Sequence, residues 1–184
     1  APSAVNVTSV SYDATSMVVN WGESSDDDFA SYELLYAVDE EVAKTTLTTI
    51  TDKTTTTHSI SKFDVTIENW FWIKVKDYWG LFTIGVGVSS EVKSPPTAST
   101  LNNIVYEDDS FKFSWTKNSD DNFSSYILYE SSSSDMSNGS VIYETTDQSI
   151  VAYTKGSVEE GQIKYYFLGV KDAWGLQSLS EIKE

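Results

Sequence analysis

The chain of 184 residues has no cysteine, one histidine and only three prolines. Without cysteine there are no disulfide staples, no thiolate metal sites and no cysteine nucleophile, so stability has to come from apolar cores. A lone histidine, His58, leaves no duplicated partner for a catalytic triad, and no Gly-x-Ser-x-Gly elbow occurs. His58 therefore reads as a surface or edge-strand residue. Basic residues are few, with Lys+Arg 12 against Asp+Glu 28 and a net charge of −16. Such a surface repels phosphate backbones, which makes nucleic acid a poor partner. No run of eighteen apolar residues is present, so no helical span of a membrane is expected. No leader is visible either, although a secreted chain whose signal had been removed would look the same.

What is present begins with aromatics, 14% of the chain within a hydrophobic fraction of 40%, enough to fill real cores. Their placement is repeated. Pro2, Ala4, Tyr12, Ser16, Trp21, Ser25, Asp26, Asp27, Phe29, Ser31 and Tyr32 recur as Pro96, Ala98, Tyr106, Ser110, Trp115, Ser119, Asp120, Asp121, Phe123, Ser125 and Tyr126. The offset is constant, 115 − 21 = 94. Later, Val75, Lys76, Asp77, Trp79, Gly80 and Leu81 recur as Val170, Lys171, Asp172, Trp174, Gly175 and Leu176, now offset by 170 − 75 = 95. Two tandem domains follow, residues 1–94 and 95–184, with the boundary at Ser94-Pro95-Pro96, where two prolines hold the linker extended.

Within each half the apolar residues alternate. Met17, Val19 and Trp21, then Tyr32, Leu34 and Tyr36, have the period of two of half-buried strands, as do Phe111, Phe113 and Trp115. The threonines of 45–57 favour strand over helix, and no segment carries a helical stripe. Seven strands are expected in the first half, near residues 5–12, 16–21, 32–38, 46–51, 55–60, 70–77 and 82–89, with matching segments in the second. The fold class is all-β, two Ig-like seven-stranded β-sandwiches in series.

A proline at the entry, a tryptophan ending the second strand and Tyr-x-Leu opening the third resemble fibronectin type III domains. The pattern Trp21, Ser25-Asp26-Asp27, Phe29 and Tyr32, followed by Asp-x-Trp-Gly-Leu, is most similar to repeats strung along bacterial secreted and cell-surface proteins. The resemblance covers essentially the whole chain, twice. It implies an extracellular, non-catalytic spacer, adhesion or structural module, with carbohydrate binding as the alternative. The family's corner tyrosine would fall at Asn69 and Lys164, so its hydrogen bond is either lost or supplied differently.

Three groups of residues are candidates for contact. Asp26, Asp27 and Asp28 lie in the loop at the same sandwich end as Asp77, and Asp120, Asp121 and Asp172 repeat the arrangement. Converging oxygens could hold calcium, but Asp and Asn also favour turns through bonds to nearby amides. In Trp70-Phe71-Trp72-Ile73-Lys74-Val75, an inward Lys74 would bury an unpaired ammonium. Phe71, Ile73 and Val75 are therefore expected inside, and Trp70 and Trp72 outside, with Tyr165 and Phe167 outside in the second half. Ile84, Val86 and Val88 should face inward, placing Trp72 across from Gly85 and Trp70 across from Gly87.

Outward aromatics over cross-strand glycines reinforce a sheet, mark a contact with protein (another copy of the chain included), or form a platform for polysaccharide. Trp79 and Trp174 are expected to pack under their own turns against Phe29 and Phe123. Asn-x-Ser/Thr sequons stand at Asn6, Asn122 and Asn138, and matter only where the host glycosylates.

Overall fold

The computed structural model describes residues 1–156 and 161–184. The chain divides into two compact units, Ala1–Lys93 and Ser94–Glu184. Every described element of regular structure is a strand.

The first unit contains β1 (Val7–Tyr12), β2 (Met17–Trp21), β3 (Phe29–Ala37), β4 (Thr45–Ile50), β5 (Thr57–Ile60), β6 (Trp70–Asp77), β7 (Phe82–Ile84) and β8 (Val88–Ser89). They form an antiparallel sheet β1-β2-β5 and a second one, β4-β3-β6-β7, with β8 also on β6. The second unit contains β9 (Val105–Glu107), β10 (Ser110–Ser114), β11 (Phe123–Ser131), β12 (Ser140–Thr145), β13 (Ala152–Gly156), β14 (Tyr165–Asp172) and β15 (Gln177–Leu179). Its sheets, β13-β10-β9 and β12-β11-β14-β15, repeat the order of the first.

Alternation along the strands decides what fills each sandwich. In β2, Met17, Val19 and Trp21 are buried while Val18 and Asn20 are half-buried on the other face. They meet Tyr32 and Leu34 of β3 and Phe71, Ile73 and Val75 of β6, the inward parity expected for that strand. The second core is built from Phe113, Trp115, Tyr126, Leu128, Tyr166, Leu168 and Val170, largely the same positions with different volumes. Each core closes on aromatic contacts of its own: Trp21 meets Tyr32 edge-on at 6.0 Å between centroids, and Trp115 lies 5.6 Å from Tyr126.

The buried polar atoms show how tightly the loops are tied to these cores. The Tyr32 hydroxyl accepts from the Ser24 amide at 2.7 Å and donates to the Lys53 carbonyl at 3.0 Å. Tyr126 accepts from the Asn118 amide at 2.6 Å in the same way. The corner ahead of β6 is also closed without a tyrosine. Asn69 is buried, and its side-chain amide donates to the carbonyls of Asp64 at 2.7 Å and Ile67 at 3.0 Å. Asn69 Oδ1 in turn accepts from the Tyr36 hydroxyl at 3.3 Å.

The last strand departs from the expected register. Lys74 pairs with Ile84 and Val75 with Thr83, but Phe71 pairs with Val88 and Trp70 with Ser89. The residue sums differ by one, 74 + 84 = 158 against 71 + 88 = 159, so one extra residue is accommodated between β7 and β8. Ile84 and Val86 are consequently exposed rather than inward, while Val88 alone packs on the core. At the break the chain reaches across to the first strand: Val86 donates its amide to Asn6 Oδ1 at 2.8 Å, and Val7 donates to the Val86 carbonyl.

Candidate functional site

The outward face of β3 and β6 carries Leu35, Ala37, Trp70 and Trp72, which pack into a small apolar cluster outside the main core. The indoles of Trp70 and Trp72 stack, with centroids 5.8 Å apart and planes 17° from parallel. Trp72 is on the expected face but is not open: it is 4% exposed. Lys44, from the connection ahead of β4, lies over its ring at 4.2 Å, a cation–π contact. Gly87 lies against the five-membered ring, so near that a side chain there would meet the indole nitrogen at 2.2 Å. Trp72 thus packs against Gly87, not Gly85. Trp70 remains half-buried and donates its indole N–H to Glu68 Oε2 at 2.8 Å.

Beside this cluster Glu33 is clamped by Lys76 and by Lys74 at 3.0 Å. The ammonium of Lys76, together with that of Lys74, holds the Glu33 carboxyl below the usual range. Lys74 also lies 4.5 Å from the centroid of Phe82. In the second unit the outward pair Tyr165 and Phe167 is half-buried, and Phe167 packs 4.6 Å from Tyr129. Gln177 lies over Gly169 and donates to the Tyr129 hydroxyl at 3.3 Å.

The acidic loops are used by the backbone around them. Asp26 accepts from the Ser3 amide at 2.7 Å and the Ser3 hydroxyl at 2.9 Å, and that amide holds its carboxyl below the usual range. Asp120 accepts from the Thr97 amide at 2.6 Å, with the same consequence and the same leading cause. Lys53 and Gln148 occupy the carbonyls of Asp26 and Asp120 from opposite the loop. Asp77 Oδ1 accepts from the amides of Trp79 and Leu81, and Asp172 Oδ1 from those of Trp174 and Leu176. The other oxygen of Asp172 is buried with no hydrogen-bond partner. Asp27 and Asp121 are exposed, and Asp28 contributes its carbonyl to the Tyr78 amide. Among the described residues no three His, Asp or Glu side chains converge as a metal site. The arrangement matches Asx-turn chemistry, with each carboxylate serving donors of a turn or of the entering chain.

Trp79 does not pack under its turn. It is 75% exposed, as is Tyr78, while Phe29 instead packs on Tyr32 at 4.5 Å. Asp77 and Gly80, the latter at φ 81°, already close the turn, so the indole is not needed to stabilise it. Trp174 in the second unit is half-buried. Leu81, Phe82, Ile84 and Val86 continue the exposed apolar surface from Trp79 along β7. The sequence carries a signal for this surface, an uncharged run from Tyr78 to Ser90, but the expected inward parity conceals it. His58 lies half-buried on β5 opposite Val19.

No family model matches the chain, and no curated protein matches it. Among solved structures it is similar to the FN1–FN3 domains of chicken CNTN1, at 11% identity and TM-score 0.46, covering 98% of this chain and 65% of that one. It is also similar to the sixth fibronectin type III domain of human fibronectin type III domain containing protein 3, at 16% identity and TM-score 0.44, covering 53% of this chain and 92% of that one. A third similarity, at 17% identity and TM-score 0.42, is to the pectate lyase Pel3 of Pectobacterium carotovorum, covering 47% of this chain and 26% of that one. The chain thus spans about two thirds of the CNTN1 fragment and about a quarter of the lyase. The strand order, three strands against four in each unit (with the short β8 added beside β6 in the first) and every described pairing antiparallel, makes the chain a tandem of two Ig-like β-sandwiches, the architecture that fibronectin type III domains share.

Proposed function

We propose that this chain is a non-catalytic, extracellular or cell-surface module that serves as a spacer and structural building block. The observation that carries this reading is the duplication of a complete core. Each unit closes its own tryptophan-centred interior and ties its own loops with its own tyrosine hydroxyl. An interior repeated twice, while the outward residues differ, suits a part whose task is length and placement. The acidic surface keeps such a part soluble.

Carbohydrate recognition is less well supported, because a stacking platform needs open rings. Trp72 is covered by Lys44 and Gly87, and Trp70 offers a single half-buried ring.

A spacer under tension should yield one module at a time. Pulling the full chain in a single-molecule instrument is expected to give two unfolding steps, each adding about 300 Å of extended chain for roughly 90 residues at ~3.3–3.6 Å apiece. One step of twice that length would mean the two units act as a single body and would count against the spacer reading.

A further inference from the structure

The two units differ where the entering segment of each meets its last strand. In both, a hydroxyl ties the start of one to the start of the other: Thr83 donates to the Pro2 carbonyl at 2.7 Å, and Ser178 to the Pro96 carbonyl at 2.6 Å. The entering segment is also held alike from its other side. Gly22 donates its amide to the Asn6 carbonyl at 3.3 Å, and Thr116 to the Thr100 carbonyl at 3.0 Å. Beyond these shared bonds the units part.

In the first unit the two segments are laced together. Val86 donates its amide to Asn6 Oδ1 at 2.8 Å, and Val7 donates to the Val86 carbonyl at 3.4 Å. Gly85 permits this approach, since a Cβ there would stand 1.8 Å from the Val5 carbonyl oxygen. With Pro2 tied to Thr83 and Asn6 to Val86, the two segments run in the same direction.

In the second unit Ser180 stands where Gly85 does: Gly85 donates its amide to the Ile73 carbonyl, and Ser180 to the equivalent carbonyl of Leu168. The Cβ of Ser180 takes the room that the close approach needs. Thr100 and Glu181 stand in place of Asn6 and Val86, so the accepting side-chain amide is gone as well. Among the described residues no hydrogen bond joins 98–101 to 179–181, and a cleft of about 350 Å³ lies between them. Ser99, in place of the core residue Val5, is buried with its hydroxyl unpartnered. The same strand order forms without the lacing, so the lacing is an addition to the fold and not a condition of it.

Tension gives that addition a consequence. A pull on the ends of a unit enters through its first segment and leaves through its last. Because the two run in the same direction, the load draws them past each other, and the bonds between them are sheared together instead of one at a time. Forced unfolding is governed by the rate of unfolding, which responds most to interactions lost on the way to the transition state.

We infer that the chain is a graded spacer, in which the second unit yields first and the first, clamped by Asn6 and Val86, holds to a higher force. This deepens the spacer reading and rests on it, whereas that reading does not require an order of opening. The test is to pull the full chain with one unit labelled by length. An insert of about twenty glycines and serines in the exposed turn at Asn138-Gly139 adds ~70 Å to the second unit's step alone. A companion chain carries the same insert at the exposed Glu40-Glu41, which labels the first unit. In both chains the second unit's step is expected to come first and at the lower force.

Asn6→Thr takes the residue of the sister unit, and Val86→Pro removes the N–H that Asn6 accepts. Each is expected to speed the opening of the first unit about fivefold at constant force, the factor that one hydrogen bond commands, and to blur the order of the steps. Wild-type steps in random order, or with the first unit leading, overturn the inference, as does an opening rate unchanged in both variants. Those results leave two separate steps and so spare the spacer reading. One step of double length would overturn both, so the two failures are distinguishable.

Discussion

Trp115→Ala is expected to destabilise the second unit severely, so that it unfolds on mild heating while the first stays intact. The side chain is 3% exposed and packs against Tyr126 and Tyr143. Truncating a buried tryptophan costs about 3–5 kcal/mol, against a total stability for a small domain of about 5–15 kcal/mol. In a proton–nitrogen correlation spectrum, resonances from residues 95–184 should lose their dispersion on mild heating while those of the first unit keep theirs. Collapse of both sets together would show that the cores are coupled. Trp115→Phe should be far milder. The indole N–H of Trp115 is buried without a hydrogen-bond partner, as is that of Trp21, so a phenyl ring gives up area but also removes an unsatisfied donor.

Gly85→Ala is the second substitution with a large expected effect, and Gly169→Ala is its control. A side chain at Gly85 would stand 1.8 Å from the carbonyl oxygen of Val5 and 2.6 Å from its carbon. Both are backbone atoms of the segment entering β1, so relief requires separating the last strand from the first. Such a separation would break the bonds that join Val86 to Asn6 and Val7. Overpacking of this kind costs typically ~1–3 kcal/mol or more, and here the neighbour has no side chain to rotate. At Gly169 the nearest atom, also 1.8 Å away, is the amide nitrogen of Gln177. That side chain can swing into solvent by giving up one bond to Tyr129. Thermal melts should therefore show a clear drop for Gly85→Ala and a small one for Gly169→Ala. Equal drops would mean that the approach of Val5 to Gly85 does not constrain the fold.

The contrast between these glycines reflects what a single sequence can and cannot convey. Duplication of Trp21, Tyr32 and Leu34 as Trp115, Tyr126 and Leu128 establishes the repeat, and an outward Lys74 sets the parity of β6, because burying a lone ammonium is too costly to be overlooked. Alternation carries that parity only as far as the ladder stays regular. The extra residue between β7 and β8 reverses it, turning Ile84 and Val86 outward, and nothing in Gly85-Val86-Gly87 distinguishes a bulge from glycines beneath aromatics. The burial of Trp72 depends on Lys44, remote in sequence, and so is not readable from strand parity. Exposure of Trp79 escapes the sequence for a related reason: the carboxylate of Asp77 satisfies the turn donors that an overlying ring would otherwise shield. The acidic loops admit two readings in the sequence, and the amides of Ser3 and Thr97 on Asp26 and Asp120 favour the turn over the cation.

Independence of the two sandwiches underlies both the module reading and the selective effect of Trp115→Ala. Its most direct test is to produce residues 1–94 and 95–184 as separate chains and record their melts by calorimetry alongside the full chain. Each half should give one cooperative transition of its own, and the two together should account for the heat absorbed by the intact protein. If neither half melts cooperatively, the cores are not self-sufficient and the chain is a single folding unit.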